Sequence, residues 1–205
     1  MGHEWGAKKV ESLFDWCKEL KIKELTLYCL SIENFNRPKE EFEYLMKLFR
    51  KEFKAYENDE RISKNKIRFN FIGRLQMFPK DIQNLMHSIM EKTKHFKDYQ
   101  VNFAMAYGGR AEVIDAVIKI AKQIKAGTLD INKINEETFE ENLYIKDEPD
   151  LIIRTGGEKR TSNFLPWQST YSEFIFLDVL WPEFSKEQFA ECIQDYGKRE
   201  RRFGK

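Results

Sequence analysis

The residues of this 205-residue chain best suited to chemistry stand just after short β-rich runs. Ser31-Ile32-Glu33-Asn34-Phe35-Asn36-Arg37-Pro38 follows the run 23–30, Gly73-Arg74 follows 67–72, and Gly108-Gly109-Arg110 follows 101–107. A fourth such segment runs from Arg154 through Gly156-Gly157 and Arg160 to Asn163. Arginine recurs in all four, and four of the ten glycines lie in the two Gly-Gly pairs. Glycine lets backbone N–H groups come close to an anion, and the guanidinium fork matches phosphate oxygens. Each element alone is also ordinary turn or surface chemistry. Their convergence on one kind of position points to a phosphate or diphosphate site. No Gly-x-Gly-x-x-Gly follows a strand, and the segment 156–162 lacks P-loop spacing, so the anion is not held as in the familiar nucleotide folds.

Such residues need a scaffold, and the apolar spacing supplies one. Val10, Leu13, Phe14, Cys17 and Leu20 predict a helix over 4–20; Phe42, Leu45, Met46, Phe49 and Phe53 predict a second. Pro79 opens a third that ends near Lys94, and Ala111–Ile124 reads as a fourth, with Val113, Val117, Ile120 and Ile124 inward and Gly127 as its stop. A short helix over 138–143 and a tail helix over 185–202, capped at Ser185, complete the set. Between them lie strands at 23–30, 67–72, 101–107, 151–154 and 174–180. The alternation predicts an α/β fold with a mostly parallel central sheet flanked by helices, in a single domain over 1–205. In such sheets ligands bind outside the carboxyl ends of the strands, where the Gly/Arg segments fall.

The formal net charge of +1 removes the cationic excess of a general nucleic-acid binder. Cys17, Cys29 and Cys192 have neither zinc spacing nor the density of a disulfide framework, and a reducing, cytoplasmic setting is expected. No apolar run approaches the roughly 18 residues of a membrane span, so membrane contact is expected to be peripheral. Leu30, Phe35, Met46, Phe49, Phe53, Met86, Met90 and Met105 form a pliable apolar inventory: core filling for any one of them, or in part the lining of a cavity for an apolar chain. Burying a five-carbon unit contributes about 4 kcal/mol. An anion site opening on such a cavity suits an amphiphile with a diphosphate head.

Five blocks, Leu27–Pro38, Ala106–Glu112, Asp150–Glu158, Ser162–Gln168 and Asp178–Phe184, together resemble the cis-prenyltransferases, above all the undecaprenyl diphosphate synthases and their archaeal counterparts. The resemblance extends from Gly2-His3 to Gly204. It implies magnesium-dependent, sequential addition of isopentenyl diphosphate to an allylic diphosphate, farnesyl or geranylgeranyl, with new Z double bonds and a long-chain polyprenyl diphosphate as product. Carried over by motif, Arg154, Arg160, Thr161 and Ser162 bind the isopentenyl diphosphate, and Glu173 is a magnesium ligand. Ser31, Glu33 and Asn34 match the catalytic loop, with Asn34 where the family removes a proton. An amide is a poor base, so Asn34 is read as positioning the proton while a diphosphate oxygen accepts it. Arg37 stabilises nearby negative charge, and Phe35 stands where the family commonly has Trp. His3 matches a Gly-His motif near the allylic diphosphate. Arg202 and Gly204 match an Arg-x-Gly motif that reaches a neighbouring subunit's substrate, which implies a homodimer. The segment 198–205, with five basic residues against one acidic, is then a diphosphate-binding tail and not a nucleic-acid patch. Phe35 and the charged stretch 57–66 look archaeal and tilt the primer toward geranylgeranyl diphosphate.

One departure stands out. The family carries an Asp-Gly-Asn-x-x-Arg-Trp segment on a first strand upstream of Gly-His, and no Asp-Gly-Asn occurs in these 205 residues. The expectation is therefore a fold lacking that first strand, through a late start or trimming. A chain of impaired activity and a non-catalytic subunit of a heteromeric enzyme stand as alternatives.

Overall fold

The computed structural model of the chain describes residues 2–200, with side chains from Glu4 onward. The described residues form two compact units, one of residues 2–106 with 180–190 and one of residues 107–179 with 191–200.

The first unit runs α1 (Gly2–Glu19), β1 (Glu24–Ser31), α2 (Lys39–Glu57), α3 (Glu60–Lys64), β2 (Ile67–Ile72), α4 (Lys80–Thr93) and β3 (Tyr99–Tyr107), the last residue of β3 belonging to the second unit. The strand order is β1-β3-β2, and β2 pairs with β3 in parallel, Phe71 opposite Phe103. β3 is buried from Val101 to Tyr107, which is why it reads as a nearly continuous apolar run. The exception within it, Asn102, is fully buried and satisfied: its amide donates to Glu24 Oε1 at 2.7 Å and Thr26 Oγ1 at 3.1 Å and accepts from Asn70 Nδ2 at 3.3 Å. This polar rung crosses all three strands.

Phe53 and Tyr56 of α2 pack against Phe69, Phe71 and Phe103, and Phe14 of α1 joins the same cluster. Leu30, Met46, Phe53, Met86 and Met105 are core residues. Trp16 packs on Phe184 and Phe189, and Trp181 Nε1 donates to Gly6 O at 3.1 Å. α3, inside the charged stretch 57–66, was not predicted; Asp59 caps it by accepting from Arg61 N at 2.8 Å.

The second unit contains α5 (Gly109–Lys125), α6 (Glu136–Glu140), β4 (Leu151–Arg154), β5 (Glu173–Phe176) and the end of α7 (Lys186–Lys198), which begins in the first. β4 and β5 pair in parallel, Leu151 opposite Glu173 and Arg154 opposite Phe176. β5 is shorter than the predicted 174–180 because the backbone beyond Phe176 pairs with a turn instead: Gly156 and Gly157 donate to Val179 O and Leu177 O at 2.8 and 2.9 Å. The side chain of Glu112 in the first turn of α5 is buried and satisfied. It accepts from Tyr144 N at 2.8 Å, from Gln168 Nε2 at 3.1 Å and from the Tyr107 hydroxyl.

The expected α/β class with parallel strands and flanking helices is observed. One predicted core position is not: Val117 is 50% exposed, and with Ile114 and Ile118 it forms an outward apolar stripe on α5. Ala116 and Ile120 take the inward face instead. Among the described residues no helix is long and apolar enough to cross a membrane.

Candidate active site

The predicted catalytic residues of the first unit lie in one turn. Ser31 ends β1 and precedes a short 3-10 helix over Ile32–Asn36. Ser31 N donates to Asn34 Oδ1 at 2.9 Å, and Arg37 N donates to Asn34 O at 3.2 Å, so Asn34 stitches the turn together on both sides. With Oδ1 accepting from the backbone, the free end of the amide is the Nδ2 donor, which suits holding an oxygen rather than removing a proton. Tyr28, three residues earlier in β1, has its phenol pushed up to about 12 by burial and then by the Glu33 carboxylate, against a hydrogen bond with Ser31. Tyr28, Ser31 and Glu33 are therefore an interacting group, and the strand pattern alone gave no reason to single out Tyr28. Phe35 packs on Phe42 and Phe78 with ring centroids 5.2 and 5.4 Å away, and Arg37 pairs with Glu41 one turn along α2.

In the second unit Arg154, Arg160 and Ser162 do come together. Arg154 Nη1 donates to Arg160 O at 2.6 Å and to Ser162 Oγ at 2.8 Å. Its Nε is buried and has no hydrogen-bond partner among the described residues. An unpaired buried guanidinium donor is costly, and an anion relieves it. Arg160 Nη1 meets Glu158 Oε2 at 2.6 Å, and Thr161 is exposed in the same loop. Glu173 opens β5, and its Oε2 accepts from Arg199 Nη1 at 2.6 Å; Arg199 Nη2 also meets Asp195 at 2.8 Å. The neighbouring carboxylates, Glu173 first, hold the Arg199 guanidinium above its usual range.

Two readings of the glycine segments are corrected. The N–H groups of Gly109, Gly156 and Gly157 already donate to backbone carbonyls, and that of Arg110 donates to Asn163 Oδ1 at 2.9 Å, so the Gly-Gly pairs do not offer them to an anion. Gly73 serves close packing: with φ +121°, a Cβ there would lie 2.1 Å from Met105 O. The anion-binding candidates that remain are side chains. The side chain of His3, and all of Arg202 and Gly204, lie outside the described residues.

A magnesium ion at this site would find few protein donors. Among the described residues no three His, Cys, Asp or Glu side chains are grouped to hold a metal, and Glu173, the carboxylate named by resemblance, lies opposite Leu151, at the other end of the paired strands from Arg154. That fits an ion carried largely by phosphate oxygens, which is magnesium's habit.

Residues 1–204 match the Prenyltransf family model, described as "Putative undecaprenyl diphosphate synthase". The chain belongs to the cis-prenyltransferase family. Over its full length it is 47% identical to the geranylgeranyl-diphosphate-specific tritrans,polycis-undecaprenyl-diphosphate synthase of Methanopyrus kandleri, covering 76% of that protein. It is 46% identical to the synthase of the same name from Methanocaldococcus jannaschii, covering 74%. Among solved structures, lavandulyl diphosphate synthase from Lavandula x intermedia, in complex with dimethylallyl diphosphate, matches with a TM-score of 0.93 and 33% identity, over 100% of this chain and 88% of that one. A probable undecaprenyl diphosphate synthase from Campylobacter jejuni matches with 0.86 and 34%, over 98% and 93%. This cis-prenyltransferase is thus a transferase acting in cis-prenyl transfer, and its relatives are named as synthases, which lends no support to a non-catalytic subunit.

Proposed function

We propose that the enzyme adds isopentenyl diphosphate repeatedly to geranylgeranyl diphosphate, forming a Z double bond at each addition and releasing a long-chain polyprenyl diphosphate, the precursor of a lipid carrier. The observation that carries the diphosphate reading is the Arg154 guanidinium, tied to Arg160 O and Ser162 Oγ, with a buried Nε that has no partner among the described residues. The naming of the archaeal relatives as geranylgeranyl-specific supports the primer over farnesyl diphosphate.

In each cycle the allylic C–O bond breaks and its diphosphate leaves. The terminal alkene carbon of isopentenyl diphosphate bonds to the allylic carbon, and the carbon next to the new cationic centre loses a proton. Arg154, Arg160, Thr161 and Ser162 hold the isopentenyl diphosphate. By its resemblance to the family's catalytic loop Asn34 positions the departing proton, which passes to a diphosphate oxygen; its Oδ1 accepts from Ser31 N, which leaves Nδ2 as the donor for that task. Ser31 and Glu33 flank it, Phe35 offers an aromatic contact and Arg37 a positive charge. Glu173 would be the residue to hold magnesium, which would supply neutralisation of diphosphate charge.

We further propose a cytoplasmic homodimer built on the Ile114, Val117 and Ile118 stripe, with Arg202 and Gly204 reaching the neighbouring subunit's substrate, membrane contact only through the lipid product and no role for nucleic acid. The test is an initial-rate assay with radiolabelled isopentenyl diphosphate and either geranylgeranyl or farnesyl diphosphate in magnesium buffer. Polyprenyl product with the higher kcat/KM for geranylgeranyl diphosphate is expected. A clear preference for farnesyl diphosphate overturns the primer, and absence of product with both overturns the reaction.

A further inference from the structure

The loop that carries Arg160 and Ser162 has an unusual backbone. Ser162, Asn163 and Leu165 all have positive φ, at +50°, +64° and +47°. Asparagine tolerates this region, whereas serine and leucine visit it rarely, so the surrounding contacts must impose the path. Those contacts come from the first turn of α5. Asn163 O accepts from Gly109 N at 2.8 Å and Asn163 Oδ1 accepts from Arg110 N at 2.9 Å. One residue thereby satisfies two N–H groups that have no partner inside the helix. The helix start also presses directly on the loop: a Cβ on Gly109 would lie 2.0 Å from Pro166 Cδ and 3.0 Å from Asn163 O. Farther along, Gln168 Nε2 donates to the buried Glu112 of the same turn at 3.1 Å. On its other side the loop is tied to Arg154 through Arg160 O and Ser162 Oγ.

We propose that Asn163 is a positioning residue for the diphosphate-binding loop: it locks the left-handed path that begins at Ser162 onto the start of α5, and so sets where Ser162 and the preceding Arg160 meet isopentenyl diphosphate. This rests on the diphosphate reading above. Asn163 acts through its neighbours, and it combines two properties that few residues share, a side-chain oxygen for the helix N-terminus and tolerance of positive φ.

The experiment measures isopentenyl diphosphate binding by calorimetry without allylic substrate, and the KM of each substrate, for the wild type and for Asn163→Ala, Asn163→Gly, Asn163→Asp and Arg160→Ala. Arg160→Ala is expected to weaken binding; if it does not, the diphosphate reading fails and this inference falls with it. Asn163→Ala, which loses both properties, is expected to weaken isopentenyl diphosphate binding at least tenfold while the KM for geranylgeranyl diphosphate stays within twofold. Asn163→Asp, which keeps both, is expected to remain within threefold of wild type. Asn163→Gly keeps the backbone path and loses only the Oδ1 acceptor, so an intermediate loss of about three- to fivefold is expected, and it carries the test if Asn163→Ala does not fold. Wild-type binding in the Ala and Gly variants while Arg160→Ala is impaired, or an equal loss for both substrates, overturns the positioning role and leaves the diphosphate site standing.

Discussion

Arg199 donates to Glu173 Oε2 at 2.6 Å, so the carboxylate expected to hold magnesium is already paired with a cation from the chain just after α7. Both side chains are about one-third exposed, at 33% and 30%. Pairs of this kind contribute roughly 0–1 kcal/mol to stability. Glu173→Gln is therefore expected to change the unfolding free energy by no more than about 1 kcal/mol, yet to lower kcat/KM by two orders of magnitude or more. Chemical denaturation beside initial rates checks it; a large loss of stability with retained turnover would make Glu173 structural instead.

Gly73 and Gly109 are close-approach positions, and the penalty for a methyl group there follows from geometry. At Gly73 the new Cβ meets a backbone carbonyl of β3 at 2.1 Å, with φ at +121°. Overpacking of this kind costs about 1–3 kcal/mol or more, and the dihedral adds to it. Gly73→Ala is expected to lower the melting temperature by several degrees or to leave the protein insoluble, as differential scanning calorimetry will record.

Asn102 is the middle of a polar rung in an otherwise apolar strand. Asn102→Leu removes a buried amide that bonds Glu24, Thr26 and Asn70 across the sheet, and each such hydrogen bond contributes about 0.5–1.5 kcal/mol net. Urea unfolding is expected to show a loss in that range with an unchanged m value. No loss would mean that apolar packing replaces the rung without penalty.

Thiol reactivity and alkaline stability are coupled. Burial pushes the Cys17 and Cys29 thiols up to about 12 from 9.0. The folded state thus favours the protonated form, and its advantage is full below pH 9 and is lost as pH rises from there through about 12. At pH 8.5 native Cys17 and Cys29 are expected to resist iodoacetamide, and both to react rapidly in denaturant. On the acid side Asp59, lowered by its hydrogen bond with Arg61, stabilises the fold above its unfolded value near 3.8, and this contribution disappears as pH falls through the folded value. Mass spectrometry and pH-dependent denaturation test the two arms.

Ile114 and Val117, both at least half exposed, supply the dimer test. Light scattering is expected to give a dimer for the wild type and a monomer for Val117→Glu, with circular dichroism unchanged. A wild-type monomer refutes the dimer, and a dimeric Val117→Glu variant removes the stripe from its interface.

Much of this protein was legible in its sequence because the signals are local. The 3.6- and 2-residue apolar periods marked α1, α2, α4 and the strands, Ser185 with Gln188 marked the start of α7, and five ordered blocks carried the family. The residues of the Arg154 cluster were named from the same blocks. Local pattern failed where a second surface decides. Val117 has the spacing of a core residue, but the helix turns Ala116 and Ile120 inward. The Gly-Gly pairs have the composition of an anion cradle, and only folding shows that three of those four glycines donate their N–H groups to backbone carbonyls of the chain. Asn163 and Arg199 gained their roles from partners 53 and 26 residues away, at Arg110 and Glu173. Sequence determines which groups are available and the local geometry they favour. Which of those groups are already satisfied is decided only when the chain closes on itself, because a donor's meaning depends on the acceptor that reaches it.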